Sequence, residues 1–325
     1  MKIKKILIIS LGSIGRRHLK IIKKLRPEIK VNILRRKIQL NQFDEEEQLI
    51  EKTFTNLKEA LKDGPDAVII ASPAKLHIEQ SLEILKANIP LLIEKPISDN
   101  LKSCFKLKEL SKKNKSLITV GYVLRYSKSI NEFKKIINEN HIGKNLYAEI
   151  KCASYLPKWR KNKDYRESVS AKSSLGGGAL LELSHEINYA NWLFGPFKNL
   201  KSIYTNTNQL EIDVEDIAKI IAINNNNFLL HIHLDFCSNS NERYCKLFGT
   251  LGYINLDLNK QLITIKNNNT DKLIKIKVDE QFNDMYINQI NHFLDCVEQK
   301  KEPIVTIDDA IETLKLITEF DRSKL

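Results

Sequence analysis

A chain of 325 residues is long enough for about two domains of roughly 150 residues each. With 42 % hydrophobic and 28 % charged residues it has the balance of a globular protein, and no apolar run approaches the roughly 18 residues of a membrane span. The formal charge of +12 (52 Lys+Arg against 40 Asp+Glu) is scattered over predicted helix faces without aromatic interleaving, which argues against nucleic acid and for attraction of anionic small molecules.

The apolar start, Ile6 to Ile9, is too short for a signal peptide, so the cytoplasm is the expected location. The five cysteines include no CxxC pair and are odd in number, which predicts neither a disulfide framework nor a metal site.

Residues 4–9 predict a strand, and Ser10-Leu11-Gly12-Ser13-Ile14-Gly15 follows at once, with a helix from about Ile14 to Leu25. This is a G-x-G-x-x-G turn with Ser10 at its first glycine. Gly12 lets the backbone approach a pyrophosphate, Gly15 permits close helix–strand packing, and the helix N-terminus supplies amide donors. Ser10, Gly12, Ser13, Ile14 and Gly15 are therefore candidate dinucleotide contacts. A second strand, Val31 to Leu34, ends in Arg35-Arg36-Lys37. Where an acid would hold a ribose 2′-hydroxyl, Arg35 and Arg36 offer only cations. That favours NADP over NAD, with an exposed basic turn as the plainer explanation.

Asp66–Ala71 is the next strand, followed by Ser72-Pro73 and by His77 just inside a helix. A lone histidine at a helix start is more often structural than catalytic. Leu91–Ile93 reads as an interior strand of a parallel sheet, and it runs into Glu94-Lys95-Pro96. Pro96 stiffens the turn, and Lys95 stands at the carboxyl end of a strand, where open α/β sheets hold their ligands. A lysine fixed there can donate a proton to a carbonyl or take one from an alcohol; in the bland reading it is a surface lysine in a loop. Leu117–Tyr122 closes the parallel set, so residues 1–122 are expected to form a doubly wound α/β domain.

After Arg125 the pattern changes. A helix at about 129–140 leads to strands at 145–154, 201–206, 215–223, 228–236, 243–249, 252–257 and 262–266. Residues 123–325 thus predict an α+β domain with an open, predominantly antiparallel sheet. A last helix, at about 306–321, is expected to pack back on the first domain. In Gly176–Tyr189 three glycines leave room for a ligand, and Glu182, His185 and Tyr189 fall at helical spacing. A carboxylate at that spacing can orient a histidine ring; a surface ion pair is the bland alternative. Upstream, Tyr155–Arg160 and Asp164–Arg166 concentrate aromatics and cations suited to an acidic or phosphorylated sugar, although a packed loop accounts for the same residues.

The Gly turn, Ala71-Ser72-Pro73 with His77, Glu94-Lys95-Pro96, Gly121-Tyr122 with Arg125, and Gly176–Asn188 together resemble the Gfo/Idh/MocA oxidoreductases along essentially the whole chain. The resemblance implies a Rossmann domain, an α+β domain, and reversible hydride transfer between NAD(P) and a sugar or polyol carbon. It matches Lys95 to the family's EKP lysine and His185 to its catalytic histidine. Glu182 stands three residues before His185 and Asn188 three after, where the family commonly has Asp four before and Asp three after. The Ser184-His185-Glu186 form resembles a subgroup tied to surface-polysaccharide sugars, which implies an amino, acidic or nucleotide-linked sugar.

In this reading Lys95, His185 and Glu182 are catalytic. Ser72, Pro73, His77 and Glu94 join Lys95 at the cofactor, and Arg125, Trp159, Arg160, Tyr165, Arg166, Asn188 and Tyr189 bind the sugar. Pairing of the antiparallel sheet implies a homo-oligomer, dimer or tetramer. Two other readings stand beside this one. One is a non-catalytic dinucleotide sensor or scaffold; the other is an NAD-dependent hydrolase or epimerase working by transient oxidation.

Overall fold

The computed structural model describes residues 2–35, 46–160 and 164–318. They fall into two units: the chain up to Tyr122 together with Tyr286–Leu314, and Val123–Met285 together with the chain from Lys315 onward.

In the first unit β1 (Lys5–Ile9) leads into α1 (Ser13–Leu25), followed by β2 (Lys30–Leu34), β3 (Lys52–Phe54) and α2 (Leu57–Lys62). Then come β4 (Ala67–Ile70), α3 (His77–Lys86), β5 (Leu91–Ile93), α4 (Leu101–Asn114) and β6 (Ile118–Val120). The strands form one parallel sheet in the order β3-β2-β1-β4-β5-β6. β4, β5 and β6 are buried end to end, as their unbroken apolar runs require when both faces of a sheet are covered. α1 turns Leu19, Ile21 and Ile22 onto Ile6, Ile8, Val31, Ile33 and Ile69. Ile290, Phe293 and Leu294, from a much later helix, complete that core. The strand order reverses between β1 and β4, and in such sheets the ligand crevice opens there, at the carboxyl ends.

The second unit contains α5 (Lys128–Asn138), β7 (Asn145–Ala153), α6 (Ala179–Glu182), α7 (Ser184–Phe194), β8 (Phe197–Thr205) and β9 (Ile217–Asn224). β10 (Leu229–Asp235), β11 (Glu242–Gly249), β12 (Gly252–Asp257), β13 (Leu262–Asn267) and β14 (Lys272–Lys277) follow. Their order is β14-β13-β12-β11-β7-β10-β9-β8, antiparallel except for the β7–β10 pair. Alternation sends Ala218, Ile220, Leu230, Ile232, Leu234, Ile150, Leu247 and Ile254 to a buried face. The other face carries, in register, Ile221, His231, Glu149, Lys246, Asn255 and Thr264. α8 (Asp284–Gln299) and α9 (Ile307–Thr318) end the described chain. Just before α9, the Val305 carbonyl accepts from Val120 N–H at the end of β6. β3, β14, α2 and α8 are not anticipated from sequence: the strands are short or charged, and α8 has polar residues throughout.

Candidate active site

Four strand ends of the first unit carry the expected cofactor residues. After β1, Gly12 begins α1 with no side-chain cap, so the helix's leading amides face outward. A Cβ built on Gly12 meets nothing within 4 Å, whereas one on Gly15 lies 2.2 Å from the Ser10 carbonyl oxygen. Gly15 is therefore glycine for packing and Gly12 for open space, a cradle that fits a dinucleotide pyrophosphate. Ser13 is exposed and Ile14 half-buried beside it. Ser10 takes a positive φ of 76°, so its substitution for glycine is not conformationally neutral.

At the end of β2 the expectation of cations alone changes. Glu47 closes a two-pronged pair on Arg35, 2.7 and 2.9 Å long, with both side chains largely shielded. Glu46 similarly pairs with Arg16 and Lys20. Burial pushes the Glu46 carboxyl up, but those two cations outweigh it and hold the group below the ordinary carboxylate range. Arg36 lies outside the described residues.

After β4, Ser72 donates to Gln80 Oε1 at 2.7 Å, and Pro73 leads into the turn before His77. His77 is buried, with Nε2 2.7 Å from the Ser72 carbonyl and Nδ1 2.9 Å from the Pro96 carbonyl. It lies between the β4 and β5 loops, which is its structural reading, and a neutral ring donates to one of the two carbonyls at a time. Burial pushes its pKa below the ordinary value, against those two carbonyls and the charges of Glu94 and Asp99.

After β5, Lys95 is half-buried and Glu94 buried. Glu94 Oε1 is 2.7 Å from His18 Nε2, and Glu94 Oε2 accepts from the Lys95 backbone N–H at 3.2 Å. His18, fully buried on α1, is not anticipated from sequence; its signal is a lone imidazole on the apolar stripe of Leu19, Ile21 and Ile22.

The second unit holds the histidine segment. Glu182 ends α6 and His185 is the second residue of α7, with the helix broken at Leu183 (φ −94°, ψ 20°). One continuous helix face through Glu182, His185 and Tyr189 is therefore not what forms. Glu182 accepts from Ser170 Oγ at 3.0 Å. His185 is half-buried, while Tyr189 is fully buried against Cys152, Cys245 and Arg243, so Tyr189 is a packing residue rather than a sugar contact. The space beside Gly177 is filled by the Val169 and Ser170 carbonyls, 2.4 and 2.7 Å from a built Cβ, and not by room for a ligand. Glu186, also missed, is 0 % exposed and accepts from Arg243 Nε at 2.6 Å, pinning α7 to β11.

Of the expected sugar contacts, Arg125 is buried with its guanidinium 4.3 Å above the Trp192 ring, and Asn188 is buried. Trp159 donates to Ser154 Oγ at 2.9 Å and meets Phe236 edge-on. Arg160 is exposed. Tyr165 donates to the Leu210 carbonyl, and Arg166 pairs with Asp164 and Glu211. Arg166 is thus committed to carboxylates of its own chain.

The comparisons with known proteins agree with this arrangement. Residues 4–122 match the oxidoreductase family's NAD-binding Rossmann fold, and residues 134–324 match its C-terminal alpha/beta domain. The chain belongs to the Gfo/Idh/MocA oxidoreductase family. It is 21 % identical over 313 residues to inositol 2-dehydrogenase/D-chiro-inositol 3-dehydrogenase of Halalkalibacterium halodurans, covering 91 % of this chain and 84 % of that one. With inositol 2-dehydrogenase 2 of Saccharopolyspora erythraea the identity is 28 % over 131 residues, 40 % of this chain and only 35 % of that protein's length. Among solved structures, the WlbA dehydrogenase of Bordetella pertussis, in complex with NADH and UDP-GlcNAcA, shares the fold with a TM-score of 0.80 at 19 % identity. That likeness covers 98 % of this chain and 95 % of the other. No helix among the described residues is long and apolar enough to cross a membrane.

Proposed function

We propose that this protein is a nicotinamide-dinucleotide-dependent dehydrogenase or ketosugar reductase acting on a sugar or nucleotide-sugar CH–OH group, with a place in surface-polysaccharide biosynthesis. The observation that carries the reading is Lys95 at the end of β5, its backbone N–H on a buried carboxylate, at the same carboxyl edge of the parallel sheet as the open Gly12 turn. The charge and acidity of UDP-GlcNAcA, bound by the Bordetella pertussis enzyme, support an anionic sugar for a chain of +12.

Ser10, Gly12, Ser13, Ile14 and Gly15 hold the pyrophosphate through backbone amides of the α1 terminus. When bound, the nicotinamide supplies the hydride acceptor or donor. Lys95 polarises the substrate oxygen and stabilises alkoxide character at it, and His185 takes or returns the hydroxyl proton. Glu182 orients the region of His185 through the α6–α7 joint. Arg35 is neutralised by Glu47, so it favours an unphosphorylated ribose, and NAD(H) replaces NADP(H) as the proposed dinucleotide. We also propose a homo-oligomer built on the outward face of the eight-stranded sheet, where Ile203, Ile221 and Leu229 are exposed.

The test is fluorescence titration with NADH and NADPH, followed by turnover of UDP-linked acidic sugars, hexose phosphates and inositols. Lys95→Met and His185→Asn are expected to abolish turnover while leaving NADH binding in place. Full turnover in either variant would remove that residue from the mechanism, and no binding of either dinucleotide would end the oxidoreductase reading.

A further inference from the structure

Lys95 is the middle residue of a turn gripped on both sides by histidines that no catalytic step uses. On one side stands Glu94. Its Oε2 accepts the Lys95 backbone N–H at 3.2 Å, and its Oε1 is 2.7 Å from His18 Nε2 on α1. On the other side, the Pro96 carbonyl is 2.9 Å from His77 Nδ1 on α3. Space is reserved for the first tie: a Cβ on Gly121, at the end of β6, would stand 2.8 Å from Glu94 Oε2 and 2.9 Å from its Cδ. Among the described residues, His18 Nδ1 is buried without a hydrogen-bond partner. A proton on Nδ1 would be buried with no acceptor, whereas one on Nε2 is donated to Glu94, so the hydrogen-bond geometry assigns the proton to Nε2.

We propose that His18 and His77 are positioning residues for Lys95, His18 acting through the Glu94 carboxylate and His77 through the Pro96 carbonyl. The inference rests on the reading of Lys95 as the group that polarises the substrate oxygen. It adds that α1 serves twice. The amide end of the helix at Gly12 faces the dinucleotide, and six residues later the same helix anchors the lysine's turn. Cofactor and lysine are therefore registered to one rigid element.

Two measurements test this. In the wild-type protein, long-range proton–nitrogen NMR of the imidazoles is expected to show His18 as the Nε2–H tautomer. An Nδ1–H ring would overturn the proposal without any variant. The second uses His18→Leu, which removes the donor, and His18→Gln, whose amide can reach where Nε2 stood. With NADH bound, amine labelling of Lys95 read by mass spectrometry is expected to change several-fold in His18→Leu and to return toward wild type in His18→Gln. The NADH dissociation constant should stay near wild type in both. On a sugar that the wild type turns over, His18→Leu should lower kcat toward a hundredfold, the scale of a misplacement of about 1 Å, with KM nearly unchanged. Unaltered Lys95 labelling in a folded His18→Leu protein would refute the mount. Full turnover by Lys95→Met would instead remove the mechanistic reading while leaving the labelling result standing.

Discussion

At the scale of single residues, the first turn separates binding from folding. Gly12→Ala adds a methyl into open space, so stability should move by less than about 1 kcal/mol, while NADH affinity falls at least about tenfold because the cradle is filled. Gly15→Ala presses a methyl to 2.2 Å from a backbone oxygen and should lower the melting temperature instead. Thermal melts beside NADH titrations check both; equal affinity in Gly12→Ala and wild type would argue against the cradle. Ser10→Gly relieves the positive φ and should stabilise by about 0.5–1 kcal/mol, once glycine's own entropy is subtracted. At the ribose end, Glu47→Gln frees the Arg35 charge and should shift preference toward NADPH, read as the ratio of the two dissociation constants. His77 supplies a pH signature. Its folded pKa lies below its unfolded value of about 6.5, so its contribution is full above that pH and is lost as pH falls toward the folded pKa. Urea unfolding of wild type and His77→Gln should show the wild type losing stability faster on acidification; parallel pH curves would refute this.

At the scale of elements, α7 is set by a charge rather than by its cap. Glu186, fully buried, has Arg243 as its cation across on β11. Arg243→Met should cost about 3 kcal/mol in urea unfolding, because the carboxylate stays buried without a partner. Pairing it with Glu186→Leu should recover most of the loss, and no recovery would mean the pair acts by packing alone. The same elements show what the sequence makes legible. The α1 turn, the buried runs of β4 and β5, and Lys95 at a strand end are local patterns that survive into the fold. The break at Leu183 is not legible, since three-residue spacing cannot distinguish one helix from two short ones. Nor is Glu47 opposite Arg35, or Arg243 opposite Glu186. Glu47 lies 12 residues from Arg35 and Arg243 lies 57 from Glu186, and only the folded backbone brings each into place.

At the scale of the molecule, the eight-stranded sheet is covered on one face by its own unit's helices, while the other shows Ile203 at 80 % and Ile221 at 51 % exposure. If that face joins copies of the chain, Ile203→Asp with Ile221→Asp should reduce the mass seen by light scattering to that of one chain while NADH still binds. An unchanged mass would place the interface elsewhere. The family, the doubly wound parallel character of the first sheet and the largely antiparallel second unit were readable from motif order and alternation, whereas the strand order was not. Nor was the Arg35–Glu47 pair, because its carboxylate lies a dozen residues downstream of the basic run.

The double duty of α1 also sets a limit on how the chain can vary. Each residue advances a helix by about 100°. Inserting one residue between Gly15 and His18 would therefore swing the imidazole away from Glu94 while leaving the glycine turn and the Glu94-Lys95-Pro96 tripeptide intact. Such a sequence would still carry every motif by which it is recognised, and its lysine would have lost its aim. If Lys95 acts as proposed, the spacing inside that helix matters to its placement as much as the residues it separates.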